Sequence, residues 1–186
     1  MPNWCTNDLT ILNEPKPFDK VMKKYIKKRN RETFLDFEKI IPFSPCIKES
    51  LSIDYFPKKQ TLEEYEALKK AQENKCLDEC GFKSWYDWSV ANWGTKWNSC
   101  DCDFNEYGVS FNTAWSPPIP VIKALAKLTE RDLRLIYIEE GCDFCGELLA
   151  YNDGQFKDNY YNSVKDAPQS LLDELGYQEW VDEEEN

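Results

Sequence analysis

No histidine occurs anywhere in the 186 residues. That removes the side chain best suited to moving protons near neutral pH, and the commonest imidazole metal ligand. A Ser-His-Asp or Cys-His nucleophile is excluded, as is any His-containing zinc site. An enzyme built from this chain would have to work with carboxylates, lysine, tyrosine or cysteine, and the absence weighs against catalysis. Long apolar runs are missing too: none approaches the ~18 residues needed to cross a bilayer. The start, Met1-Pro2-Asn3-Trp4-Cys5, has neither the basic region nor the apolar core of a signal peptide. The expectation is a soluble protein of the cytoplasm with no membrane partner.

What is present is aromatic and unevenly charged. Hydrophobic residues make up 41% and aromatics 15%, enough for a packed core in one elaborated domain or two small ones. Net charge is −11, yet from Glu130 to Asn186 there are 16 acidic and 4 basic residues, against 18 and 19 in the other 129. The acidic end repels phosphates and disfavours nonspecific nucleic-acid binding. It suits a solubilising face, or a surface offered to a basic protein partner.

The stretch Ser84–Asn98 holds four of the seven tryptophans. Its second half, Asn92-Trp93-Gly94-Thr95-Lys96-Trp97-Asn98, interleaves large planar side chains with small hydrogen-bonding ones. Such a mixture fits a ligand-stacking surface, and equally an irregular loop plugged into a core.

In chain order, Asn7–Leu12 reads as a strand followed by a Pro-containing turn. Phe18, Val21, Met22, Tyr25 and Ile26 mark the apolar face of a helix. Its other face carries Lys20, Lys23, Lys24, Lys27, Lys28 and Arg29, either solvated or in contact with phosphate. Phe34–Ile41 alternates as a second strand. Residues 46–60 read as an irregular connection. A capping box at Thr61-Leu62-Glu63-Glu64 opens a helix to about Lys75, and a short helix runs from Ser84 to Asn92. Further elements follow: a strand Tyr107–Thr113, a helix after Pro117-Pro118, strands Leu133–Glu139 and Cys145–Tyr151, and a hairpin at Asn152-Asp153-Gly154 into Gln155–Tyr161. Leu171, Leu172 and Leu175 suggest a last helix, and Trp180–Asn186 a frayed end. The expected fold is α+β, a ferredoxin-like split βαβ antiparallel sheet. Its ferredoxin-like domain spans 1–45 and 104–161, with a mostly helical insertion over 46–103 and an acidic extension over 162–186.

Met1-Pro2-Asn3-Trp4-Cys5-Thr6-Asn7, Asn92–Asn98, Thr113-Ala114-Trp115-Ser116-Pro117-Pro118, and Glu140-Gly141 with Phe144 and Gly146 together resemble the YubB/Api-type family of phage- and plasmid-borne proteins. The resemblance spans most of residues 1–151. It implies a ferredoxin-like domain and a mobile-element setting in which proteins often counter host defence, and it brings no catalytic residue set.

The shared motifs nominate Trp4, Asn7, Asn92, Trp93, Thr95, Lys96, Trp97, Asn98, Thr113, Trp115, Ser116 and Glu140 as lining for a small nucleotide-like ligand. The rings would stack, the amides and hydroxyls orient, and Lys96 meet a phosphate. The competing reading knits the same residues into a polar-lined core. A host protein bound through the acidic face is the alternative function. A histidine-free enzyme using Glu139, Glu140 and Glu147 is a third. No cofactor is expected. A zinc site from Cys76, Cys80, Cys142 and Cys145 is one metal option, although only the last two have the common two-residue gap; a hard metal ion on the same three glutamates is the other. Buried reduced thiols are the other reading of these cysteines. Oligomeric state is left open.

Overall fold

The computed structural model describes residues 3–12, 17–29, 32–53 and 61–177. The expected turn after Leu12, the second half of the 46–60 connection and the frayed end lie outside them.

The centre of the molecule is β1 (Trp4–Ile11). It pairs antiparallel on one side with β5 (Gly108–Ala114) and on the other with β6 (Leu133–Glu139). β5 and β6 therefore run parallel to each other with β1 between them, joined by α6 (Ile119–Thr129). This is a split β-α-β unit. Outside β5 lies β4 (Cys100–Phe104), and beyond β6 come β7 (Phe144–Ala150) and β8 (Phe156–Tyr161). The sheet order is β4-β5-β1-β6-β7-β8. The fold is α+β and ferredoxin-like, with an antiparallel sheet.

The route from β1 to β4 differs from the sequence expectation. The helix begun at Phe18 stops after one turn (α1, Phe18–Met22), and Ile26–Arg29 forms a strand, β2, paired with β3 (Glu32–Leu35). Like charges at helical i, i+3 and i+4 positions repel. The hairpin instead alternates the cations between two faces, Lys28 on one and Lys27 with Arg29 on the other. The extended run read over Phe34–Ile41 ends at Asp36. That side chain accepts from the Glu38 amide at 3.2 Å and caps a single turn, α2 (Phe37–Ile40). The sheet strand expected there is β4, whose outward Asp101 and Asp103 alternate with Cys100, Cys102 and Phe104.

Residues 45–53 are helical rather than irregular (α3, Pro45–Ile53). Proline suits a first helical turn, and Cys46 and Ile47 are buried there. α3 packs on α4 (Leu62–Cys80), which opens with the anticipated Thr61–Glu64 capping box. α5 (Trp85–Trp93) completes the crossover.

One sheet face carries Leu9, Phe111, Leu135 and Leu148 in a core shared with Phe18 and Met22 of α1 and with Val121, Ile122 and Leu125 of α6. Ile136, Ile138 and Cys145 face the other way, under Val164 and under Leu171 and Leu172 of α7 (Gln169–Leu175). Among the described residues no helix is long and apolar enough to cross a membrane.

Arg134 fastens α7 to the sheet. Its Nε lies 2.6 Å from Glu147 on β7, and Nη2 lies 3.1 Å from Glu174 on α7. Hydrogen bonding from Arg134 holds the Glu174 carboxyl below its ordinary range. A depressed carboxyl stabilises the fold fully above its unfolded value, and that contribution is lost as pH falls through the folded one. Arg134→Gln should therefore lower the melting temperature near neutral pH. The gap from wild type should close as pH is taken well below the glutamate range, read by thermal melts across pH.

Candidate functional site

The Trp-rich stretch is anchored at both ends of α5. Ser84 Oγ accepts from the Asp87 amide at 3.1 Å, and Gly94 closes the helix at φ 81°. A Cβ on Gly94 would lie 2.8 Å from Pro120 Cδ, so only glycine satisfies both the turn and the close approach. The loop beyond is tied to the end of β5. Thr95 Oγ1 donates to the Ala114 carbonyl at 2.8 Å, and Ser116 Oγ donates to the Gly94 carbonyl at 2.6 Å.

These bonds sort the nominated residues into two groups. The first faces inward. Asn7, fully buried, donates through Nδ2 to Cys5 O at 2.8 Å, Thr113 Oγ1 at 2.9 Å and Phe111 O at 3.3 Å. Thr113 in turn donates to Ser116 O. Asn92 donates to Trp88 O one turn back. Trp93 donates through Nε1 to Ile41 O at 2.9 Å and packs on Phe37, Phe43 and Trp88. Asn98 accepts from the Phe37 amide and donates to Asp36. The structure directs these amides and hydroxyls at backbone and at one another, where they satisfy buried polar groups.

The second group faces outward. Lys96 Nζ sits 4.5 Å from the Trp97 ring centroid, 4.9 Å from Trp115 and 5.6 Å from Tyr86. Trp4 lies 6.3 Å from Trp97, and Tyr86 lies 6.4 Å from Trp115. The four rings are each about 40% exposed. The result is an open aromatic platform around one ammonium, which attraction to the ring faces holds in place. Trp115 is turned outward from a left-handed backbone, φ 69°. For a bulky residue this is strained, and its amide donates to Asn3 O at 3.0 Å. Tyr86 was not among the nominated residues. Its signal was its place on α5, where Trp88, Ser89 and Trp93 take the buried side and leave Tyr86 and Val90 outside. Glu140 is exposed beside the platform, in a shallow depression of about 320 Å³ shared with Asn3, Trp4 and Thr6.

The other candidates do not converge. Glu139 is buried and accepts from the Gly141 and Cys142 amides, closing the hairpin, while Glu147 is held by Arg134. Cys76 and Cys80 lie on α4, facing Cys46 of α3, and Cys142 and Cys145 lie on the β6–β7 hairpin. Among the described residues no three Cys, Asp or Glu side chains are grouped to hold a metal ion.

A family model for the ferredoxin-like domain in Api92-like protein matches residues 92–184. The chain belongs to the Api92-like family. The match takes in Lys96, Trp97 and Trp115, while Trp4 and Tyr86 precede it. A crystal structure of protein api92 from Yersinia pseudotuberculosis is similar at 9% identity, covering 87% of this chain and 98% of that one, with a TM-score of 0.45. No curated protein matches the chain.

Two outcomes check the division into inward and outward groups. Asn7→Ala leaves buried acceptors unpaired and should cost about 1–3 kcal/mol, and Trp93→Ala about 3–5 kcal/mol. Trp97→Ala should cost much less than either in urea titrations. Cys46 Sγ lies 3.4 Å from Cys80 Sγ. Mild oxidation should accordingly join α3 to α4 through these two thiols, seen as a cross-linked peptide by mass spectrometry and absent from Cys46→Ser.

Proposed function

We propose that the chain is a binding protein whose recognition surface is the platform of Trp4, Tyr86, Lys96, Trp97 and Trp115. The ligand it suits is flat and anionic, and a nucleotide is the simplest molecule of that kind. The observation that carries this reading is the Lys96 ammonium. It is held among three rings, and among the described residues no carboxylate pairs with it. Stacking on aromatic faces supplies contact area, and the pre-positioned cation supplies the complement to a phosphate. The inward Asn and Thr residues serve here as supports that fix the rings. No cofactor enters this reading. The setting proposed with it is the cytoplasm of a host cell carrying a phage or plasmid, with interference in host defence as the effect. The mobile-element resemblance supports that part.

A second reading is favoured by the platform's openness. Exposed clusters of Trp and Tyr around a cation also mark protein interfaces, where such residues carry most of the binding energy.

Titrating mono-, di- and cyclic nucleotides against tryptophan fluorescence separates the two. A saturable quench is expected, weakened by about 10-fold or more in Trp97→Ala and in Lys96→Met, since one stacked base contributes ~1–3 kcal/mol. No quench by any nucleotide overturns the small-ligand reading and leaves the protein partner.

A further inference from the structure

The ten residues Lys20–Arg29 contain six basic residues and no acidic one, in a chain of net charge −11. The fold gives part of this run a concave setting. The β2–β3 hairpin leans against β4, the edge strand of the main sheet, with Lys20 of α1 beside them. Between them lies a groove of about 810 Å³. Lys20 of α1, Lys23 just after that helix and Lys28 of β2 stand on its walls, and Ile26, Thr33 and Phe104 line it further. No carboxylate among the described residues lines it. A neighbouring depression on the other face of the hairpin contrasts with it. There Lys27 lies 3.5 Å from Asp36, and Glu32, Glu38 and Asp101 are also at hand. Among the described residues, the cations of one face have carboxylates beside them and those of the other do not.

Three ammonium groups converging from two elements on a partly apolar floor form a site for several negative charges carried on a molecule with a nonpolar or planar part. A groove of this volume is the size of small-molecule sites. Lysine acts on phosphate as a point charge and needs no fixed geometry. The groove is also distinct from the platform. Phe104 pairs with Val109 near one end of β5, and Trp4 pairs with Ala114 at the other. Five residues of strand, roughly 17 Å, separate the two.

We propose that this groove binds the phosphate groups of a small di- or triphosphorylated molecule, its apolar portion resting on Ile26 and Phe104.

The test is isothermal titration of ATP and of inorganic tripolyphosphate, in EDTA and low salt, into full-length protein carrying Trp97→Ala. That background weakens binding at the platform, so the groove variants report on the groove. Saturable ATP binding is expected, with tripolyphosphate weaker because it lacks the part that meets Phe104. Lys23→Gln and Lys28→Gln should each weaken ATP about 10-fold. Lys24→Gln, on the same segment but outside the groove, should leave it unchanged. Circular dichroism confirms that each variant is folded. The proposal is overturned if ATP does not bind, if Lys24→Gln weakens it as much as Lys28→Gln, or if an oligothymidylate binds more tightly than ATP in the same titration.

Discussion

The buried carboxamide of Asn7 is the interaction on which the rest of the structure depends. β1 is paired along both edges, so its backbone is committed, and Asn7 adds a third direction of bonding across the core side of the sheet. It reaches the Phe111 carbonyl and the Thr113 hydroxyl on β5. From Thr113 the bonding continues to Ser116, and from Ser116 to the carbonyl of Gly94. Thr95 closes the circuit on Ala114. A polar ladder thus runs from the middle of the sheet to the loop bearing Lys96 and Trp97 and to the turn bearing Trp115. Each member is buried or half-buried, so leaving one unpaired costs its full desolvation. The outward rings keep their places because these inward bonds hold the backbone that carries them.

A second knot, a few residues further on, holds the long crossover to the sheet. Asn98 receives the Phe37 amide and gives a hydrogen bond to Asp36, and Ser99 donates to the Leu35 carbonyl. Asp36 also pairs with Lys27 across the hairpin. The same few residues, 94 to 99, therefore position the platform through one set of bonds and the basic hairpin through another. This explains why so polar a stretch lies so close to the core. Its side chains serve as fasteners in both directions, and only Lys96 and Trp97 are left to face solvent.

Much of this was legible in the sequence, and what was not has definite physical causes. The α+β class, β1, β5, β6, the β7–β8 hairpin and the α4 and α5 caps follow from periodicity and turn chemistry, which act locally. The second sheet strand was misplaced because Phe34–Ile41 alternates as well as any strand does. What breaks it is Asn98, 61 residues away, taking the Phe37 amide at the Asp36 cap. The helix drawn through Tyr25 and Ile26 failed for a related reason. Its apolar spacing was correct, but pairing with β3 and the dispersal of like charge outweighed local helical preference. At the site, composition pointed to the right stretch without separating inward from outward residues. Trp93 and Trp97 are four positions apart and chemically alike. Only the helix stop at Gly94, with its left-handed backbone, sends one into the core and the other to the surface.

The charge distribution narrows what the basic groove can hold. The C-terminal third is strongly acidic, and β6, β7, β8 and α7 place its described part on the far side of β1 from β4. At physiological ionic strength a charge is felt over about 8 Å. An anion seated among Lys20, Lys23 and Lys28 is therefore governed by those three cations. A polymer long enough to leave the groove would run on over the rest of a molecule of net charge −11 and lose there part of what it gained. The combination of a short basic segment and a large acidic remainder consequently selects for compactness. It admits a concentrated charge on a small molecule and penalises the same charge spread along a chain.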